Sequence, residues 1–281
     1  MFKVYADKEY LIEVKAISFP SGERHIQISN QGETSSVNRL QKSQSVQIRA
    51  NLNTSDAILD LLLLENALLN INPTLIIDLL LPYLPYARQD RVCAAGQAFS
   101  MQVMSQLLKI QPKRSITVWD CHSKVGLDLT QAINIPAEQL IAHCDELVEL
   151  IQSPDTALVC PDNGAVPRTQ AVAQYFNQSN VVYAHKNRDP LTGQITHMEL
   201  VTPFITQKTA VIIDDICDGG ATFLQLSELL RGNGFEHIVL YVTHGVFSRG
   251  LQVFNGLVDA IYTTNSLPQT THLKLTVIDV Q

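Results

Sequence analysis

The stretch VIIDDICDGGAT, Val211 to Thr222, runs from apolar residues into two adjacent acids, Asp214 and Asp215. A third acid, Asp218, follows, and then Gly219, Gly220, Ala221 and Thr222. Glycines let backbone amides come close to an anion, and free amides at a helix start, with a threonine hydroxyl, bind phosphate oxygens. The acids repel that phosphate, so they face something else. Vicinal hydroxyls of a sugar fit, and so does a hard cation. The loop therefore reads as a sugar-phosphate site, with phosphate on amides and hydroxyls on carboxylates. A turn with exposed acids and a glycine-rich cap is the ordinary alternative, and two acids placed directly after a buried-looking run speak against it.

Other polar groups gather in the same way at Arg88–Arg91, Asp120–Ser123, Asp162–Arg168 and Lys186–Arg188. Taken singly, Lys186 and Arg188 read as a solvated strand exit, and His122 and Asp162 as satisfied strand-end groups. RQDR reads as a solvated charge cluster, although Pro82, Tyr83, Pro85 and Tyr86 before it argue for a fixed loop. The stretch NRDPLTGQITHMEL (187–200) carries Pro190 and Gly193 and little apolar content. It reads as a lid able to close over a ligand and exclude water.

Elements that would position these groups alternate along the chain. Strands are expected at 45–52, from 74, at 115–123, 156–168 and 180–189, within 209–222, and at 237–245. Helices are expected from Thr54 or Ser55 to about Asn70, over 99–110, through AVAQYF, and through FLQLSELLR, with Gly232 and Gly234 ending the last. Strand, loop and helix in alternation imply α/β architecture, a mostly parallel sheet with helices on both faces. Ligands of such sheets bind beyond the carboxyl ends of the strands, where the polar clusters fall. A composition break near 136–155 divides the chain into two domains of similar grammar, 1–139 and 140–281, with the last residues possible partners of the first domain.

The 281 residues include 20 Lys and Arg against 27 Asp and Glu, for a net charge of −7. With no strongly basic run, nucleic acid is not the expected partner. Five cysteines without a CxxC pair argue against a disulfide framework. MFKVYADKEY lacks the apolar core of a signal peptide, and the leucine-rich runs are broken by Asp60, Glu65 and Asp78, so no membrane span and a cytoplasmic location are expected.

VIIDDICDGGAT resembles the 5-phosphoribosyl-1-pyrophosphate (PRPP) loop shared by type I phosphoribosyltransferases and PRPP synthetases. LPYLPYARQDR, Leu81 to Arg91, resembles the ATP-binding segment of the synthetases, the ribose-phosphate pyrophosphokinases, which ordinary phosphoribosyltransferases do not have. FPSGERHIQI (19–28) is similar to the family's F-x-D-G-E segment, and THGVFS (243–248) to its THGV-type strand end. The resemblance covers nearly the whole chain and implies a two-domain, type I phosphoribosyltransferase-like fold. It implies transfer of the β,γ-diphosphoryl group of ATP to the C1 hydroxyl of ribose 5-phosphate, with Mg2+ as cofactor. It also implies a homo-oligomer whose ATP site is shared between subunits.

Family roles carry over to matching positions. Arg88 and Gln89 match ATP-binding residues, with Asp90 and Arg91 beside them. Phe19, Ser21, Gly22 and Glu23 match a segment that reaches the adenine of a neighbouring subunit. His122 in WDCHS matches a histidine near ATP and Mg2+, and Asp162 in CPDNG the metal-site residue on the pyrophosphate side. Lys186 and Arg188 in HKNR match the catalytic Lys-x-Arg pair, Arg188 also lying on the sugar-phosphate side. Asp214, Asp215, Asp218, Gly219, Gly220, Ala221 and Thr222 match the ribose 5-phosphate loop. Histidine is an unusual Mg2+ ligand on hardness grounds, so a water-mediated or phosphate contact of His122 fits equally.

The chain also departs from the pattern. After RQDR the family continues with an arginine-rich stretch, whereas VCAAGQAFS (92–100) has no basic residue. Ser21 stands where the family has Asp, SKVGLDL after His122 differs, and the chain is shorter. These departures point to a divergent branch and bear on the family's ADP/phosphate regulatory site and hexamer. A phosphoribosyltransferase and a catalytically silent, synthetase-associated regulatory protein are the alternatives to an active synthetase.

Overall fold

The computed structural model describes residues 2–32, 35–188, 195–201 and 206–281, and the side chains of 187, 188 and 195 lie outside that description. The chain divides into two compact units, Met1–Ile135 and Pro136–Gln281.

The first unit holds a six-stranded sheet in the order β2-β1-β5-β6-β7-β8. Its strands are β1 (Phe2–Ala6), β2 (Tyr10–Leu11), β5 (Ser45–Ala50), β6 (Ile76–Leu81), β7 (Ser115–Trp119) and β8 (Ile133–Ile135). From β5 to β8 the neighbours are parallel, and β1 runs antiparallel to both β2 and β5. A separate hairpin, β3 (Val14–Ser18) with β4 (Arg24–Ile28), precedes helix α1 (Ser36–Lys42). Three crossover helices, α2 (Ser55–Ile71), α3 (Ser100–Leu108) and α4 (Lys124–Thr130), link the parallel strands. Thr54 caps α2 by accepting from the Ala57 amide at 3.2 Å. Because the strand order advances in one direction, right-handed crossovers put α2, α3 and α4 on one face. Helices on both faces, the sequence expectation, describe the second sheet instead. The core lies between helices and sheet: Val46, Ile48, Ile77, Leu79, Ile116 and Val118 meet Leu61, Leu64, Leu68, Met101 and Met104.

The second unit begins with α5 (Ala137–Ile141) and α6 (Asp145–Gln152). It builds a seven-stranded sheet in the order β11-β10-β9-β12-β13-β14-β15. The strands are β9 (Thr156–Cys160), β10 (Val181–Arg188), β11 (Ile195–Leu200), β12 (Thr209–Cys217), β13 (His237–Gly245), β14 (Ala260–Thr264) and β15 (Leu275–Ile278). All neighbours are parallel except the β10–β11 pair. Strands β9, β12 and β13 are apolar almost throughout and buried, as strands covered on both faces must be. From β9 the chain crosses by α7 (Val166–Tyr175) to β10, and from β12 by α8 (Ala221–Gly232) to β13, in the opposite direction. The helices therefore take opposite faces, and the strand order reverses between β9 and β12. The crevice beyond the carboxyl ends of these two strands is where such sheets bind ligands.

Two expectations meet the structure here. The last residues form β15 at the edge of the second sheet, parallel to β14. The lid reading of 187–200 falls on a hairpin: β11 pairs with β10 antiparallel, and the link at 189–194 lies outside the described residues.

Candidate active site

Strand β12 carries Asp214 and Asp215 to the switch point, and the turn after it brings Asp218, Gly219 and Gly220 to the start of α8. Gly220 has φ of +80°, and a Cβ there would lie 2.6 Å from Cζ of Phe254, so glycine is required twice over. The end of β13 folds under this turn. The Cys217 carbonyl accepts from the amides of Val246 at 2.9 Å and Phe247 at 3.0 Å. Ser248 Oγ donates to Asp218 Oδ1 at 2.6 Å. The THGVFS segment is thus the scaffold of the loop, and Asp218 is held by it. Ala221 and Thr222 occupy the first turn of α8, where free amides point outward.

Asp214 and Asp215 share one cation. Arg168 Nη1 lies 3.3 Å from Asp214 Oδ1, and Nη2 lies 3.6 Å from Asp215 Oδ2. The Asp215 amide also donates to Asp214 Oδ1 at 2.9 Å. Burial and the Asp215 charge push the Asp214 carboxyl well above the usual carboxylate range, against the pull of Arg168. Side-chain exposures of 13% for Arg168 and 6% for Asp215 make this a largely dry cluster.

Asp162, just beyond β9, accepts from the amides of Gly164 at 2.8 Å and Ala165 at 3.1 Å through Oδ1. Its Oδ2 is ion-paired with Lys186 from β10. Burial raises the Asp162 carboxyl, but the Lys186 ammonium and the two amides outweigh it, so the net shift is downward. Arg188 ends β10, and its side chain is outside the described residues.

The other predicted residues belong to the first unit. After β6 the chain turns through Tyr86, at φ of +63°, into Arg88–Arg91. The Gln89 amide donates to the Tyr86 carbonyl at 2.8 Å, and the Met101 amide to the Gln89 carbonyl at 3.2 Å, tying the segment to α3. Asp90 Oδ2 accepts from Ser123 Oγ at 2.7 Å, while Ser123 Oγ caps α4 by accepting from the Val125 amide at 3.1 Å. Asp90 is therefore a clamp between RQDR and the WDCHS strand end. Arg88, Gln89, Arg91 and His122 are exposed. Phe19, Ser21, Gly22 and Glu23 form the turn of the β3–β4 hairpin. Gly22 there has φ of +89°, the Phe19 amide donates to the Glu23 carbonyl at 2.9 Å, and Ser21 Oγ donates to Glu23 Oε2 at 2.7 Å. Phe19 keeps 48% of its surface exposed. Below the turn, Arg24 on β4 forks onto Asp60 of α2, with Nε 2.9 Å from Oδ1.

The predicted residues thus assemble as two groups, one in each unit. Arg168, Ser123 and Ser248 lie in the polar clusters and motifs read from the sequence but have no role assigned there. For Arg168 the signal was present: a cation in the first turn of a helix needs an acid nearby. The candidate metal residues His122 and Asp162 stand in different units, and no cluster of three or more His, Cys, Asp or Glu side chains that could hold an ion occurs among the described residues. A lone imidazole or carboxylate in either unit does not make a cage for a resident ion and fits a Mg2+ brought in on a phosphate ligand.

Residues 102–257 match the phosphoribosyl transferase domain family. The chain is 27% identical over 267 residues to a ribose-phosphate pyrophosphokinase of Pyrococcus furiosus, covering 93% of this chain and 88% of that one. It is 28% identical over 263 residues to one of Thermococcus kodakarensis, covering 92% and 87%. The fold is similar to the crystal structure of a phosphoribosylpyrophosphate synthetase from Mycobacterium smegmatis, with a TM-score of 0.78, 22% identity, and coverage of 96% of this chain and 87% of that one. A PRPP-type loop at a switch point and an RQDR segment clamped beside a second strand end, in one chain with these relatives, lead to one assignment: the chain belongs to the phosphoribosyl transferase domain family and, within it, to the ribose-phosphate pyrophosphokinases.

Proposed function

We propose that this protein is an active, Mg2+-dependent ribose-phosphate pyrophosphokinase. It transfers the β,γ-diphosphoryl group of ATP to the C1 hydroxyl of ribose 5-phosphate, giving PRPP and AMP. The observation that carries this reading is the pairing, in one chain, of the Asp214–Thr222 loop with an Arg88–Arg91 segment fastened to the His122 strand end through Asp90 and Ser123. A phosphoribosyltransferase needs only the first.

Each role has a physical reason. The amides and hydroxyl of Asp218–Thr222 receive the 5-phosphate, and Asp214 and Asp215 accept protons from the sugar hydroxyls. The exposed Arg88, Gln89 and Arg91, with His122, receive the polyphosphate of ATP. Phe19 offers an aromatic face to adenine, with Ser21, Gly22 and Glu23 shaping the turn around it. In a homo-oligomer that adenine belongs to a neighbouring subunit.

In the reaction the C1 oxygen attacks the β-phosphorus, its proton is lost, and AMP leaves as the oxygen bridging the α- and β-phosphorus atoms departs. Negative charge builds on the transferred diphosphate, so cations placed in advance lower the barrier most. Lys186 and Arg188 are those cations. Asp162 keeps Lys186 extended toward the switch point. Asp162 in the second unit and His122 in the first are the residues that would meet Mg2+, and the ion would supply further positive charge to the phosphates. No described helix is long and apolar enough to cross a membrane.

Incubation with ATP, ribose 5-phosphate and Mg2+ tests the reading. Equal amounts of AMP and PRPP are expected. Release of ADP or phosphate without a sugar product would point to a silent or different protein.

A further inference from the structure

Arg168 sits where helix physics disfavours it. It lies in the first turn of the ten-residue helix α7, facing the positive end of the helix dipole. It is also largely withdrawn from water, with 13% of its side chain exposed. A buried arginine at a helix N-terminus needs strong compensation, and Asp214 and Asp215 provide it. The geometry is specific. One guanidinium nitrogen faces Asp214 at 3.3 Å and the other faces Asp215 at 3.6 Å, so a single planar fork sets the angle between two carboxylates. Without it, two neighbouring acids of the same strand end would repel each other in a dry site. They would turn apart, and the pair would no longer meet adjacent hydroxyls together.

We propose that Arg168 is a positioning residue for the sugar hydroxyls. By fixing the angle between the Asp214 and Asp215 carboxyls, it determines the preference for a sugar phosphate that bears a 2-hydroxyl. The inference rests on the reading of the Asp214–Thr222 loop as the ribose 5-phosphate site and extends it to specificity. Arg168 acts through the acids, so its loss should cost hydroxyl recognition and not phosphate recognition. The amides and hydroxyl that would take the phosphate belong to α8 and the turn before it, outside α7.

Direct binding separates these effects. Ribose 5-phosphate and 2-deoxyribose 5-phosphate are titrated calorimetrically into the intact chain, as wild type and as Arg168→Met. The wild type is expected to favour the 2-hydroxylated sugar, and R168M to reduce that preference roughly tenfold or more, the scale of one charge-assisted hydrogen bond. Affinity for the deoxy sugar, which keeps its 3-hydroxyl, should fall less than affinity for ribose 5-phosphate. Arg168→Lys, which keeps the charge but not the fork, should restore part of the preference. If R168M shows no cooperative thermal transition, Arg168→Gln is read by the same ratio. An unchanged preference in these variants overturns the inference while leaving the sugar site intact. Equal loss of both sugars also overturns it, since that marks a phosphate contact or a general structural role. A wild type that binds neither sugar phosphate defeats the underlying reading of the loop, and the inference with it.

Discussion

Lys186 and Asp162 face each other at the switch point, and the acid has a reason to stay charged. The Asp162 carboxyl is lowered by its ammonium partner and two amides despite burial, and the lysine is only 14% exposed. If Lys186 stabilises charge that grows in the transition state, Lys186→Ala should lower kcat by about 10²–10³-fold, or roughly 3–4 kcal/mol, with a smaller change in the KM for ATP. Steady-state rates over a range of ATP concentrations check this, and near-normal turnover would remove Lys186 from the role. Read singly in the sequence, Lys186 looked like a solvated strand exit and Asp162 like a satisfied strand-end group. Residue types and motif order made the candidates legible. Their partners were not, because pairing across the sheet depends on strand order. Arg168 is the clearest case: its acids lie 46 and 47 positions away along the chain, and only the adjacency of β9 and β12 joins them.

Turns and helices carry their own tests. Gly220→Ala combines a strained φ with a contact 2.6 Å from Phe254, whereas at Gly256, with φ of +81°, an added Cβ would meet nothing within 4 Å. Gly220→Ala should therefore cost about 2–4 kcal/mol and Gly256→Ala about 1 kcal/mol. Urea midpoints by circular dichroism measure both, and equal midpoints would show that the Phe254 contact yields easily. In the first unit, Glu65 of α2 pairs with Lys113 at 3.0 Å, and both side chains are buried. Burial pushes the Glu65 carboxyl up to about 7, although Lys113 pulls it down. An acid whose pKa is raised by folding stabilises the fold fully below its unfolded value near 4.5, and that stability is lost as pH rises through the folded value. The first unit should lose on the order of 3 kcal/mol between about pH 4.5 and 7 from this group. Glu65→Gln should flatten that slope. Trp119, the single tryptophan, lies in the first unit and reports its unfolding by fluorescence; a slope that survives in the variant would contradict the assignment. The strands and helices around apolar runs were legible because burial dictates their composition. Strands β1 to β4, β8, β11, β14 and β15 were missed. Their short, mixed stretches become strands only through a neighbour: Arg24 on Asp60 for the β3–β4 hairpin, and β13 for the edge of the second sheet.

At the scale of the whole molecule, the division into two α/β units was readable from the grammar of the chain, whereas the one-sided first sheet and the switch point of the second follow from strand order, which no local pattern encodes. Regulation belongs to this scale too. The family resemblance implies an inter-subunit site for ADP and phosphate built partly from the segment after RQDR. Here Val92–Ser100 has no cation, and two of its amides are already engaged: Cys93 and Ala94 donate to Gln97 Oε1, each at 3.2 Å. A diphosphate finds neither arginine forks nor a ready nest there. Activity should need no inorganic phosphate, and ADP should inhibit only by competing with ATP. Rates against ATP at several ADP concentrations should share one kcat; inhibition that persists at saturating ATP, or strong activation by millimolar phosphate, would contradict this. Phosphorus NMR of the intact protein turning over ATP with ribose 5-phosphate and Mg2+ follows the diphosphoryl transfer itself. The β- and γ-phosphorus signals of ATP should convert together into a diphosphate on C1 of the sugar while AMP appears in equal amount. Signals of ADP, of free phosphate, or of unchanged ATP with no C1 diphosphate would contradict it.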